Sequence, residues 1–90
     1  MDSQRTIVIT GSTGGIGLQS ALGIAKTGAR VIITGRNRER GELARQRIVD
    51  ETGNPNIELV TGDLSSSAGV DALAAALLEA APRIDVLVNN

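Results

Sequence analysis

The stretch Thr10-Gly11-Ser12-Thr13-Gly14-Gly15-Ile16-Gly17 follows an apolar run, Ile7-Val8-Ile9, and leads into a segment from Gly15 to Lys26 where Leu18, Ala21, Leu22 and Ala25 recur at helical spacing. A short continuous run of β-branched residues that stops at glycine reads as a strand buried on both faces. The glycines therefore fall where a strand turns into a helix. Gly11 suits the tight turn, Gly15 lets the backbone approach a ligand with no Cβ in the way, and Gly17 lets the helix pack closely on the strand. The free N–H groups and dipole at the helix start favour an anion, and a diphosphate fits such a turn. Glycine spacing alone is weak grounds; the strand–turn–helix setting gives it weight.

The same alternation continues along the chain. Val31-Ile32-Ile33 ends at Gly35, Ile57 to Val60 is closed by Gly62, and Val86-Leu87-Val88 is entered after Pro82; these read as three further buried strands. Arg38 to about Glu51 reads as a charged helix with Leu43, Ala44 and Ile48 as its inner stripe and Gly53 as its stop. Ser67 to about Ala80 is rich in Ala and Leu, with a serine from 65–67 as its cap and Pro82 at its end. Gly28 suits the position just past the first helix. The order β-α-β-α-β-α-β predicts an α/β fold: a Rossmann-type parallel sheet with flanking helices and right-handed crossovers, strand order 3-2-1-4, and incomplete at this length.

Composition narrows the chemistry. Among ninety residues there is no Phe, Tyr or Trp, so the core is built from Val, Ile, Leu and Ala. With 41% hydrophobic and 21% charged residues the chain fits a globular class, not a disordered one. Without Cys there is no disulfide, thiolate nucleophile or zinc-thiolate site, and without His no imidazole base or ordinary His-ligated metal. The net charge of −1 gives no general attraction to nucleic acid or anionic membrane, and no aromatic ring can stack on a base. The apolar stretches fall short of a membrane span, and strand-like sequence from about residue 5 leaves no room for a signal peptide. A soluble, cytoplasmic chain with no nucleic-acid or membrane partner is expected.

The strand ends carry the other candidate residues. After the second strand come Gly35 and Arg36, with no carboxylate in Val31–Arg36. An acidic side chain at this point would accept the ribose hydroxyls of NAD; an arginine instead accommodates the 2′-phosphate of NADP. Gly35 leaves space, Arg36 supplies the donors, and Ser12 can add a hydroxyl. Arg38 and Arg40 are assigned mostly to a solvated charged face, with Glu42 and Arg45 as a weak surface pair. After the third strand, Asp63 can accept from an adenine amino group while the N–H of Leu64 meets a ring nitrogen.

The segment T-G-x-x-x-G-I-G resembles the fingerprint of the short-chain dehydrogenase/reductase family. Gly11, Gly14 and Gly17 also spell the G-x-x-G-x-x-G of that superfamily's extended branch; Asn89-Asn90 after the fourth strand favours the branch that carries Asn-Asn-Ala-Gly there. An S-adenosylmethionine methyltransferase would want an acidic residue after the second strand, where Gly35-Arg36 stands. The resemblance covers about residues 5–90, with a fainter likeness to retinol dehydrogenases and protochlorophyllide reductases in Arg36-Asn37 and Gly53-Asn54-Pro55. It implies cofactor contacts at Gly11, Ser12, Thr13, Gly15, Ile16, Gly17, Arg36, Asp63, Leu64 and Asn89, the first Asn lying against the adenosine ribose. It further implies a parent that moves a hydride between NADP(H) and a small alcohol or carbonyl substrate and forms homo-oligomers. The family's catalytic Ser and Tyr-x-x-x-Lys lie further along; these residues contain no Tyr, and Lys26 is their only lysine. The expectation is therefore an N-terminal dinucleotide-binding part with no catalytic residue, inactive alone, and with an apolar edge and sheet face left bare; the alternatives are a non-catalytic NADP-sensing module or an α/β module without ligand.

Overall fold

The computed structural model describes residues 5–11, 14–63, 65–81 and 83–88. The elements follow in the order β1 (Thr6–Ile9), α1 (Gly15–Ala25), β2 (Arg30–Gly35), α2 (Arg38–Thr52), β3 (Ile57–Thr61), α3 (Ser67–Ala80) and β4 (Val86–Val88). The strands form one parallel sheet in the order β3-β2-β1-β4, the arrangement the alternation predicts. Ile9 stands opposite Ile33 on one side and Val88 on the other, so the C-terminal tips of β1, β2 and β4 end close to level.

Alternation along the strands sends side chains to opposite faces, and the helices divide accordingly. Ile9, Val31, Ile33 and Ile57 meet Leu18, Ala21, Leu22 and Ala25 of α1 and Ala44 and Ile48 of α2. Val8 and Ile32 point the other way, to Leu73 and Leu77 of α3. The helix ends follow their sequence signals. Gly53 ends α2 at φ +74 with its N–H donating to the Val49 carbonyl, and Ser66 Oγ caps α3 by accepting from the Gly69 N–H at 3.0 Å. Pro82 lies outside the described residues.

Two expectations need correction. Leu43 is 70% exposed and is not part of the inner stripe of α2, which is Gly41, Ala44 and Ile48. Positions 41, 44 and 48 share one helical face, whereas 43 is rotated about 100° from 44. Glycine takes the inner place because a Cβ at Gly41 would meet Leu59 at 2.7 Å. The second correction concerns strand burial. Val31 to Thr34 of β2 are buried on both faces, but β3 is fully buried only at Ile57, and in β4 Val86 is 41% and Leu87 55% exposed. Among the described residues β3 and β4 are the edge strands. Leu87 pairs with Val8 and so shares the α3 face, and α3 leaves it uncovered. Of the apolar face and edge expected to be bare, Val86 and Leu87 of β4 are exposed, whereas α3 covers Val8 and Ile32 on the same sheet face.

Polar clips lock the layers together. Arg30 Nη2 lies 2.8 Å from both carboxylate oxygens of Glu58 and 2.7 Å from the Ala80 carbonyl, joining β2, β3 and the end of α3. Buried Asn54 donates to the Ala25 and Ala29 carbonyls at 2.9 and 2.7 Å, and its Oδ1 accepts the Asn56 N–H at 2.9 Å. It thus ties the end of α1 to the entry of β3. Asp85 Oδ2 accepts from the Thr6 N–H at 2.8 Å and fixes β4 against β1.

In urea unfolding, Ile48→Ala is expected to cost about 2–5 kcal/mol, and Leu43→Gln to stay within about 0.5 kcal/mol of the parent. Equal losses would contradict the reassigned stripe. Asn54→Ala strips two carbonyls of their donor and is expected to cost about 1–3 kcal/mol in the same assay.

Candidate functional site

Parallel strands ending level leave a crevice at their carboxyl tips, the place where open α/β sheets hold ligands. Here the crevice is about 580 Å³ and is lined by Gly11, Thr34, Gly35, Arg36, Asn37, Arg40, Gly62, Asp63 and Ser65. That volume falls within the range of about 300–1,000 Å³ usual for small-ligand sites. Three strand ends, the start of α2 and the approach to α3 all contribute to it.

On the β1 side, Gly11 has φ +63 and Gly15 φ +59, a left-handed conformation open to glycine and strained for other residues. The Gly11 N–H donates to Thr34 Oγ1 at 3.3 Å, which holds the turn against the tip of β2. Helix α1 starts differently from the other two. Its N-cap, Gly14, offers no side-chain acceptor and its first turn has no acidic residue, whereas Asn37 caps α2 and Ser66 caps α3. Among the described residues no side chain caps the positive end of α1, and a diphosphate is chemically suited to that role. Gly17 is buried against the sheet, while Ile16 is 78% exposed beside it.

The structure brings Gly11, Arg36 and Asp63 together in the crevice. Gly15, Ile16 and Gly17 lie in the first turn of α1 and do not line it. Ser12, Thr13, Leu64 and Asn89 lie outside the described residues.

Arginine assignment at the start of α2 splits in a way the charge run concealed. Arg38 turns to the β3 edge, with Nη2 3.3 Å from Thr61 Oγ1. Arg40 is exposed, as expected of a solvated face, and it also lines the crevice with Arg36. The cause is the cap. Asn37 Oδ1 accepts the Arg40 N–H at 2.9 Å, which makes Arg40 the third residue of the helix and places it one turn above Arg36. An Asn followed three positions later by Arg just beyond a strand end was the available signal.

Asp63 is solvent-exposed at the opposite wall. Hydrogen bonds from the Ser65 side chain and from the Ser65 N–H, the latter at 2.9 Å, hold its carboxyl below the ordinary carboxylate range. Partial desolvation opposes them, and the charge of Arg36 adds a smaller lowering. A lowered value means that Asp63 is ionised through neutral and mildly acidic pH; whatever stability its charge contributes is lost only as pH falls through that lowered value. The crevice therefore presents two permanent cations on one wall and one anionic acceptor on the other.

No helix among the described residues is long and apolar enough to cross a membrane, and those residues contain no cluster of His, Cys, Asp and Glu able to hold a metal ion. Comparison with known proteins places the arrangement. The chain is 45% identical over 86 residues to dehydrogenase/reductase SDR family member 13 of Bos taurus and 36% identical to human retinol dehydrogenase 13, each match taking in 96% of this chain. It spans about a quarter of the length of these relatives, 23% and 26% respectively. Among solved structures, the Pseudomonas aeruginosa RhlG/NADP active-site complex superposes with a TM-score of 0.86 at 38% identity, over 96% of this chain and 34% of that one. The short chain dehydrogenase family model matches residues 5–90, and the chain belongs to that family.

Proposed function

We propose that these residues form the NADP-binding part of an oxidoreductase that moves a hydride between NADP(H) and an alcohol/carbonyl pair. The observation that carries the cofactor choice is the wall of the crevice at the tip of β2, where Gly35 leaves room and Arg36 and Arg40 stand together. Guanidinium forks match phosphate oxygens in shape and charge, and a carboxylate that would favour a ribose diol is missing from Val31–Arg36. The RhlG complex, whose bound nucleotide is NADP, supports the same reading. The names of the dehydrogenase and reductase relatives support the reaction class, and the retinol dehydrogenase among them is consistent with an alcohol substrate.

The residues present fit this nucleotide. Gly11 and Gly15 supply the open backbone and the uncapped start of α1 the amides for a diphosphate. Asp63, kept ionised by its hydrogen bonds from Ser65, would accept from an adenine amino group. When bound, the nucleotide supplies the hydride chemistry. The chain's own residues bind and orient it. These ninety residues contain no Tyr, and the role proposed for them is confined to holding the nucleotide.

Titration of the full chain by calorimetry is expected to show NADP+ binding more tightly than NAD+, with Arg36→Ala removing most of the preference and Arg40→Ala a smaller part. A charge-assisted contact of this kind is worth about 1.5–3 kcal/mol, so Arg36→Ala should weaken NADP+ by roughly 10–100-fold. Equal affinities of the parent for the two nucleotides would refute the assignment.

A further inference from the structure

The charged groups that face the β2 wall of the crevice are few and of fixed state. From the turn between β2 and α2 comes Arg36 and from the first turn of α2 Arg40; from just past β3 comes Asp63; the tips of β1 and β2 and the approach to α3 contribute glycine, threonine and serine. Glu39, in the first turn of α2, is not part of the lining, and Arg38 is engaged with Thr61. The sequence holds no His and no Cys, so apart from the α-amino group no side chain of these residues has an ordinary titration between about pH 5 and 8. A ribose 2′-phosphate does titrate there, with a second pKa of about 6 expected for a phosphate monoester.

Resting on the reading under Proposed function, we propose that this crevice selects the doubly ionised form of the ribose 2′-phosphate, so that its preference for NADP over NAD fades as that phosphate takes up a proton. The sensor is then the ligand and not the protein. Two guanidinium groups on one wall offer more donors than a singly charged phosphate can match with full acceptors, because protonation converts one phosphate oxygen from acceptor to donor. On this wall that P–OH would face the guanidinium groups of Arg36 and Arg40, which donate hydrogen bonds and accept none. Asp63 does not offset this change, since its hydrogen bonds to Ser65 keep it charged over the same pH interval. By linkage, binding that favours the dianion lowers the second pKa of the bound phosphate below that of the free nucleotide.

The test titrates the full chain with NADP+ and, separately, NAD+ at several values between about pH 7.5 and 5, and follows the 31P resonance of the 2′-phosphate in bound NADP+. The ratio of the two affinities is expected to fall about tenfold over that interval, as the dianionic fraction of a group with pKa about 6 falls. The bound 31P resonance is expected to keep its dianion position at about pH 6, where free NADP+ is at its midpoint, and in Arg36→Ala to move back toward the free titration curve. A neutral-pH preference for NADP+ that stays flat to pH 5, with a bound resonance titrating like the free nucleotide, would overturn the inference and leave the cofactor reading standing. So would parallel weakening of both nucleotides at constant ratio. Equal affinities at neutral pH would overturn the cofactor reading itself, and this inference with it.

Discussion

Parallel pairing of β1 with β2, with Ile9 opposite Ile33, is the constraint from which the rest of the molecule follows. It buries Val31, Ile32 and Ile33 completely and so sets a helix layer on each face. It also stops the two strands side by side, so that the Gly11 N–H reaches Thr34 Oγ1 and the turn after β1 shares a crevice with the arginines after β2. Slipping the register by one residue would turn the core set of a strand to the wrong face and separate the two halves of the crevice. Fold and site are in this sense held by the same contacts.

Element order, sheet topology and both helix layers were legible because each strand is a short β-branched run and each helix ends at a glycine or starts at a cap. The inner stripe of α2 was less so. Leu43 is the more apolar residue, but Gly41 lies on the face that meets Leu59, and a pattern built on hydrophobicity gives glycine no weight. The buried role of Asn54 was also hidden: within Asn54-Pro55-Asn56 it resembles an ordinary turn residue, and only the fold brings the Ala25 and Ala29 carbonyls to it. Arg40 was hidden among neighbouring arginines because the direction of each depends on the cap at Asn37, which sets the phase of the helix. Local sequence thus reports periodicity well and direction poorly.

The electrostatic design is economical. The whole chain is close to neutral, yet the crevice brings two guanidinium groups together with one carboxylate among its described lining residues. Anion selectivity therefore arises from position, not from net charge. Exposed apolar side chains stand at Ile16 on α1, Leu43 on α2, Val70 and Leu78 on α3, and Val86 and Leu87 along β4 at an edge of the sheet.

The most direct test follows backbone amide and arginine side-chain resonances by NMR while NAD+ and then NADP+ are added to the full chain. If the turn after β1 grips a diphosphate and the α2 wall grips a further phosphate, the amides of Gly11, Gly15, Ile16 and Gly17 move with both nucleotides, and the Nε resonances of Arg36 and Arg40 move with NADP+ alone. Glycine-turn amides that stay still while either nucleotide binds would contradict it.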